Sequence, residues 1–204
     1  MNTLWRFVTA FGDVAMLVPC AFLMLIALAV PVATRPQARG WLLLCVAVVG
    51  VTACSKFLFM AWGLGVSTID FTGLSGHSAV SAVVWPSLLA LVGAMVNPMW
   101  RVPSMVAGFG LALSIGLSRL ELHAHSASEV VSGLLVGAVP TLVFLVRWGA
   151  HWRWHGRACW IIPIILCVIV LTHGERFPSQ KWLKDAAARV NADHKAHVRQ
   201  RAGT

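Results

Sequence analysis

Six apolar runs joined by short polar links limit what this chain can fold into; they lie at about residues 15–33, 41–60, 77–96, 103–117, 130–146 and 158–171. A helix that crosses a bilayer needs about 20 mainly apolar residues, and hydrocarbon tolerates only helices and closed barrels because it offers the backbone no hydrogen bonds. The expected fold is an all-α integral membrane protein with about six transmembrane helices in a single bundle. The sixth run is short, so a tilted or partly interfacial helix also fits it. Residues 1–172 form the membrane domain in this reading, and residues 173–204 a basic tail.

Composition agrees. The 204 residues are 58% hydrophobic and 11% charged, more apolar than a soluble domain of this size needs. The net charge of +9 would point to nucleic acid in a soluble protein. Here the basic residues fall in short links and in the tail, which fits the positive-inside rule and contact with anionic lipid instead. Arg35 and Arg39, Arg101, and Arg147 with Arg153 and Arg157 mark the first, third and fifth links as cytoplasmic. The second and fourth links then share the other side. Six spans also put both termini there, and a basic tail on that side runs against the rule. If the sixth run does not span, the tail is cytoplasmic. Residues 179–200 read as a polar surface helix with a weak apolar stripe at Trp182, Leu183 and Val190. Ten Trp residues, mostly near span ends, read as interfacial anchors. His151 and His155 belong to an interfacial cytoplasmic loop, and Pro86 and Pro163 are expected to kink their spans. The five cysteines, Cys20, Cys45, Cys54, Cys159 and Cys167, lie in or beside apolar runs without paired spacing and read as small apolar residues. The first residues lack the pattern of a cleavable signal peptide.

Two polar islands interrupt this pattern. One is Ser75-Gly76-His77-Ser78; the other is Ser118-Arg119, followed by His125 and Glu129. A charge at the centre of a span costs about 2.5–3.5 kcal/mol on insertion scales, so ionisable residues in such places usually mark function. If the chain turns helical after the second island's loop, His125 and Glu129 share one helix face. The carboxylate then takes the proton of one imidazole nitrogen and leaves the other free to attack. Arg119 offers a forked donor suited to phosphate, and Ser118 a hydroxyl. Gly73, Ser75 and Gly76 allow close backbone approach to an anion at a helix start. His77 is placed to protonate a leaving oxygen, and Lys56 adds a positive charge on the same side. This set fits metal-independent phosphoryl transfer through a phosphohistidine. A metal set of His123, His125 and Glu129 is disfavoured by the two positive groups nearby. Asp13 reads as a helix cap, Asp70 as a turn residue or a partner for a basic site residue, and His123 as a possible auxiliary donor.

At these positions the chain resembles the type 2 phosphatidic acid phosphatase family, which shares its core with vanadium haloperoxidases. That family carries Lys-x6-Arg-Pro, Pro-Ser-Gly-His and Ser-Arg-x5-His-x3-Asp. The third motif matches from Ser118 and Arg119 to His125, with Glu129 at the usual Asp position. The second matches at Ser75, Gly76 and His77, with Leu74 in place of proline. The first matches at Lys56 only, since Gly63-Leu64 stands where Arg-Pro is expected. The resemblance covers about residues 10–148.

The resemblance implies a membrane lipid phosphatase. His125 would be the nucleophile, His77 the acid and Glu129 the residue that orients His125; Lys56, Ser75, Gly76, Ser118 and Arg119 would bind phosphate. No cofactor is implied. The absent arginine removes one donor, a loss worth about 10²–10³ in rate. Candidate substrates are undecaprenyl pyrophosphate, slightly favoured, then phosphatidic acid, phosphatidylglycerol phosphate or a lipid A phosphate. The expected location is a bacterial inner membrane with the site facing the periplasm. A lipid-to-lipid phosphotransferase and a non-catalytic lipid-phosphate binder or transporter remain open alternatives, as does the oligomeric state.

Overall fold

The computed structural model describes residues 2–149, 161–174 and 179–190. Eight α-helices follow one another within them: α1 (Asn2–Ala10), α2 (Val14–Ala29), α3 (Arg35–Trp62), α4 (Gly76–Val96), α5 (Arg101–Glu121), α6 (Ala127–Trp148), α7 (Ile161–Thr172) and α8 (Ser179–Val190). No strand occurs among the described residues; an isolated bridge pairs Val66 with Phe71. Five helical stretches are long and apolar enough to cross a membrane: Thr3–Ala29, Val32–Trp62, Gly76–Val96, Pro98–Glu121 and Ala127–Trp148. The expected sixth is shorter. The 12 residues of α7 rise only about 18 Å, less than the ~30 Å hydrocarbon core. The start of that run, Ala158 to Trp160, lies outside the described residues, as do His151, Arg153, His155, Arg157 and Cys159 and the tail from Asn191 onward.

Local chemistry sets the helix ends. The Asp13 carboxylate caps α2 by accepting the Ala15 N–H at 3.0 Å, as its sequence position predicts. Pro36 opens α3, and Gly63 ends it with a left-handed φ of 70°. Ser126 and Glu129 form a reciprocal capping box at the start of α6. Ser75 stands at the N-cap of α4 but makes no side-chain cap bond, so that end keeps unsatisfied donors.

The bundle is organised around α4, which packs most extensively against α5 and then α6. Of the apolar window of α4, 78% is buried, against 11% for α3, which presents most of its surface to lipid. Small residues allow the close approach. A Cβ at Gly108 of α5 would stand 2.5 Å from the Pro86 Cα, and one at Gly137 of α6 would collide with the Ala79 carbonyl. The α4 helix runs on through Pro86. Buried Met16, Met24, Trp41, Trp85, Leu88 and Ile115 fill the space between α2, α3, α4 and α5. The Trp85 indole N–H donates to the Phe11 carbonyl at 2.9 Å and ties α4 to the α1–α2 turn.

Two elements depart from the sequence reading. The helix α1 precedes the first expected span. Its Leu4, Phe7 and Val8, with Phe11 in the following turn, have i, i+3, i+4, i+7 spacing, and it packs against α5. The tail helix α8 is not merely a solvated surface helix. It packs on α3 through half-buried Leu183 and fully buried Ala187, while Trp182 and Val190 stay exposed.

Candidate active site

Both polar islands and Lys56 come together at one end of the bundle. The joining element is the segment between α3 and α4. Its Leu74 N–H donates to the Ser55 hydroxyl of α3 at 3.0 Å. Its Thr72 donates twice to Glu129 Oε1, from the backbone N–H at 2.7 Å and from the hydroxyl at 2.5 Å. The Ser75 N–H donates to the Glu129 carbonyl at 3.1 Å. Two glycines make these approaches possible. Gly73 has φ 135°, a region that favours glycine, and a Cβ there would lie 3.0 Å from the Lys56 Cγ. A Cβ at Gly133 would lie 2.8 Å from the Ser75 carbonyl oxygen.

His125 lies in the link between α5 and α6. The C-terminus of α5 turns back on itself, with the Ala124 and His125 N–H groups both reaching the Arg119 carbonyl, at 3.0 and 3.3 Å. His123 takes a left-handed φ of 50° in this turn, which leaves its side chain exposed. The His125 Nδ1–H donates to Glu129 Oε2 at 2.6 Å. With Oε1 on Thr72 and Oε2 on His125 and the Ser126 N–H, the carboxylate holds the ring in one tautomer. The other ring nitrogen, Nε2, is buried and has no hydrogen-bond partner among the described residues.

Burial lowers the pKa of His125 below its ordinary 6.5; the Glu129 hydrogen bond works in the opposite direction, and the charges of Lys56 and Arg119 lower it again. The ring is therefore neutral near pH 7, with the Nε2 lone pair available. Lys56, Arg119 and His125 are also the charged neighbours of His77.

His77, in the first turn of α4, has a carboxylate neighbour of its own: Asp13 Oδ2 lies 3.9 Å from its Nε2. Arg119 is positioned by Thr9 of α1, whose hydroxyl accepts from Nη1 at 3.1 Å. Ser75 and Ser118 are fully buried. The Ser75 hydroxyl accepts from Ser78 at 2.9 Å, whereas the Ser118 hydroxyl donates to the Ile115 carbonyl of its own helix at 2.6 Å. Asp70 is exposed, with a left-handed φ of 47°, at the end of the 3-10 turn Ser67–Ile69. That turn docks on α6 through the Ser128 hydroxyl, which donates to the Ile69 carbonyl at 2.8 Å.

Sequence reasoning placed His125, Glu129, His77, Lys56, Arg119, Ser75 and Gly76 at one site, and these residues do meet. It missed Thr72, Thr9 and the Asp13–His77 approach. Thr72 lies 57 residues from Glu129 and belongs to no motif. The capping box at Ser126 was legible as Ser-x-x-Glu, the one local signal that Glu129 begins a helix beside His125.

Comparison with known proteins finds one informative relative. The "Uncharacterized 22.5 kDa protein in cps region" of Klebsiella pneumoniae is 38% identical over 203 residues, covering 96% of this chain and 95% of the relative. No family model matches the chain. No solved structure matches it.

Proposed function

This chain belongs to the same family as the uncharacterized 22.5 kDa cps-region protein of Klebsiella pneumoniae, and we propose that it is a metal-independent phosphatase of lipid phosphates. One observation carries the reading. The His125 ring is bound at Nδ1 by a fully buried carboxylate, and its buried Nε2 has no partner among the described residues, with two fixed positive charges nearby. A histidine held for structure alone normally has both ring nitrogens satisfied. The match of the two polar islands to type 2 phosphatidic acid phosphatase motifs supports the same reading.

The steps follow from these positions. A lipid phosphate docks its phosphoryl oxygens on Lys56, Arg119 and the free N–H groups at the start of α4. His125 Nε2 attacks phosphorus, an N–P bond forms, and the P–O bond to the lipid breaks. His77, kept charged by the Asp13 carboxylate, gives its proton to the departing oxygen. Neutral His77 then takes a proton from water. The water oxygen bonds to phosphorus, the N–P bond breaks, and phosphate leaves with His125 restored.

In this reading the site faces the periplasm. Arg35, Arg101 and Arg147 sit at the opposite ends of their helices from the site, where the positive-inside rule puts the cytoplasm. His173, after α7, rests against Phe7 and Phe11 near the site end. That contact supports α7 as a sixth crossing.

The position of the family's arginine favours one rival, a lipid-phosphate binder without turnover. Gly63 occupies it, and its left-handed φ suits glycine. Phosphate release from undecaprenyl pyrophosphate or phosphatidic acid by purified protein decides between the two. The phosphatase reading expects release that His125→Ala abolishes. Binding of these lipids with no release leaves the binder.

A further inference from the structure

The site opens into a cavity of about 500 Å³ that runs down the bundle between α2, α3 and α4. Lys56, Gly76 and His77 line its site end, so the cavity and the phosphate site share residues. Below them each helix contributes one face. On α2 the lining residues are Val14, Leu17, Val18, Ala21, Phe22 and Leu25, spaced i, i+3, i+4, i+7, i+8, i+11. On α3 the stripe descends from Lys56 through Thr52, Val48 and Cys45 to Trp41. On α4 it descends from His77 through Val80 to Val84. Below Lys56 and His77 no ionisable side chain except the Cys45 thiol lines the cavity, and the Thr52 hydroxyl is already donated to the Val48 carbonyl at 2.7 Å. Leu183 of α8 reaches the same cavity, so the tail helix forms part of its wall.

Depth identifies the occupant. Fifteen residues of continuous helix separate Lys56 from Trp41, which is about 22 Å of rise. One leaflet of hydrocarbon is roughly half of the ~30 Å core. A path that starts at the phosphate site and reaches Trp41 therefore passes the bilayer midplane. The acyl chains of a glycerolipid end near that plane, whereas a longer single chain continues.

We infer that this cavity holds the hydrocarbon chain of the substrate, a single long polyprenyl-type chain that lies along α3 and ends in the region of Leu25 and Trp41. The inference rests on the lipid-phosphate reading of the site and specifies the lipid. The cavity removes part of the chain from the surrounding lipid and fixes the phosphate end at His77 and Lys56.

The test uses the full chain in lipid nanodiscs with three probes: undecaprenyl phosphate, farnesyl phosphate and dipalmitoyl phosphatidic acid, the first and third carrying a photoreactive diazirine at the chain terminus. Labelling and phosphate release are read separately. The terminal diazirine of undecaprenyl phosphate is expected to label the segments around Leu25 and Trp41. Cys45→Trp and Ala21→Phe, which fill the deep half from α3 and α2, are each expected to lower that labelling and the kcat/KM for undecaprenyl phosphate more than tenfold. Release from farnesyl phosphate, too short to reach them, should change less than twofold; having both variants separates filling from misfolding. Labelling confined to the outer faces of α5 and α6, or unchanged in both variants, overturns the inference even if phosphate is released. Equal labelling of the Trp41 region by phosphatidic acid overturns the single-long-chain assignment. Cavity labelling without phosphate release preserves the inference and removes the hydrolytic reading instead.

Discussion

The Nδ1 of His125 lies 2.6 Å from Oε2 of Glu129, and the other oxygen of that carboxylate is held by Thr72 from the far side of the site. The pair therefore joins the α5–α6 link, the start of α6 and the segment before α4. Orientation of the nucleophile and packing of the site depend on the same carboxylate.

Glu129→Gln keeps the shape of the side chain but removes the charge that fixes the tautomer. A wrong tautomer at a comparable pair costs about 10⁴ in kcat, so a loss of about 10²–10⁴ in kcat is expected with little change in KM. Thr72→Val removes the hydroxyl bond and leaves the backbone bond to the same oxygen. Its loss should be smaller, about tenfold, in keeping with the roughly 1.5–3 kcal/mol of a hydrogen bond to a charged group. Steady-state phosphate release on both variants measures the difference.

The pH profile carries a sign. Neutral His125 is the reactive form and its pKa is lowered, so activity should hold as pH falls to 6.5 and disappear only at lower pH, as the ring takes up a proton. Glu129 raises this pKa and Lys56 lowers it. The acidic limb of kcat/KM should therefore move to lower pH in Glu129→Gln and to higher pH in Lys56→Met. Residual rates measured across pH check both directions.

Asp13 both caps α2 and faces His77. Asp13→Asn retains an oxygen that accepts the Ala15 N–H and removes the charge beside the imidazole. Thermal stability should change by less than about 1 kcal/mol while kcat drops about tenfold, a separation that Asp13→Ala would not give. Unfolding scans run alongside kinetics test it.

Gly63 ends α3 with φ 70°, so restoring the arginine of the resembling motif works against the backbone. Gly63→Arg should cost about 1–2 kcal/mol for the left-handed conformation and should not raise kcat. A gain in activity from this variant would show that the missing donor, and not the local turn, limits the enzyme.

The spans were largely legible because apolar length is a strong signal: the third run, read from His77 to Val96, is the helix Gly76–Val96. Apolar runs mark the part of a helix within the membrane, not its ends. The second run, read from Trp41 to Met60, belongs to a helix that starts at Arg35 and ends at Trp62. The helix α1 was missed because nine residues with an amphipathic stripe fall far below the length of a span. At the site, histidines and charges in apolar sequence were conspicuous for their cost in a membrane. Thr72 and Thr9 were not, because threonine is common in loops and helices and their partners are distant in the chain. Ser118 was legible as a polar residue, but its bond to its own helix was not, since only the folded helix brings the Ile115 carbonyl to its hydroxyl.

The most direct test is to trap the covalent intermediate. His77→Ala removes the group that takes the proton from water, so an aryl phosphate, whose leaving group needs no acid, should phosphorylate the protein and stop. The account predicts an acid-labile, alkali-stable phosphohistidine that peptide mass spectrometry maps to His125, absent when His125→Ala is added. Phosphate release by the unmodified chain with no such label, or a label on any other residue, would contradict it.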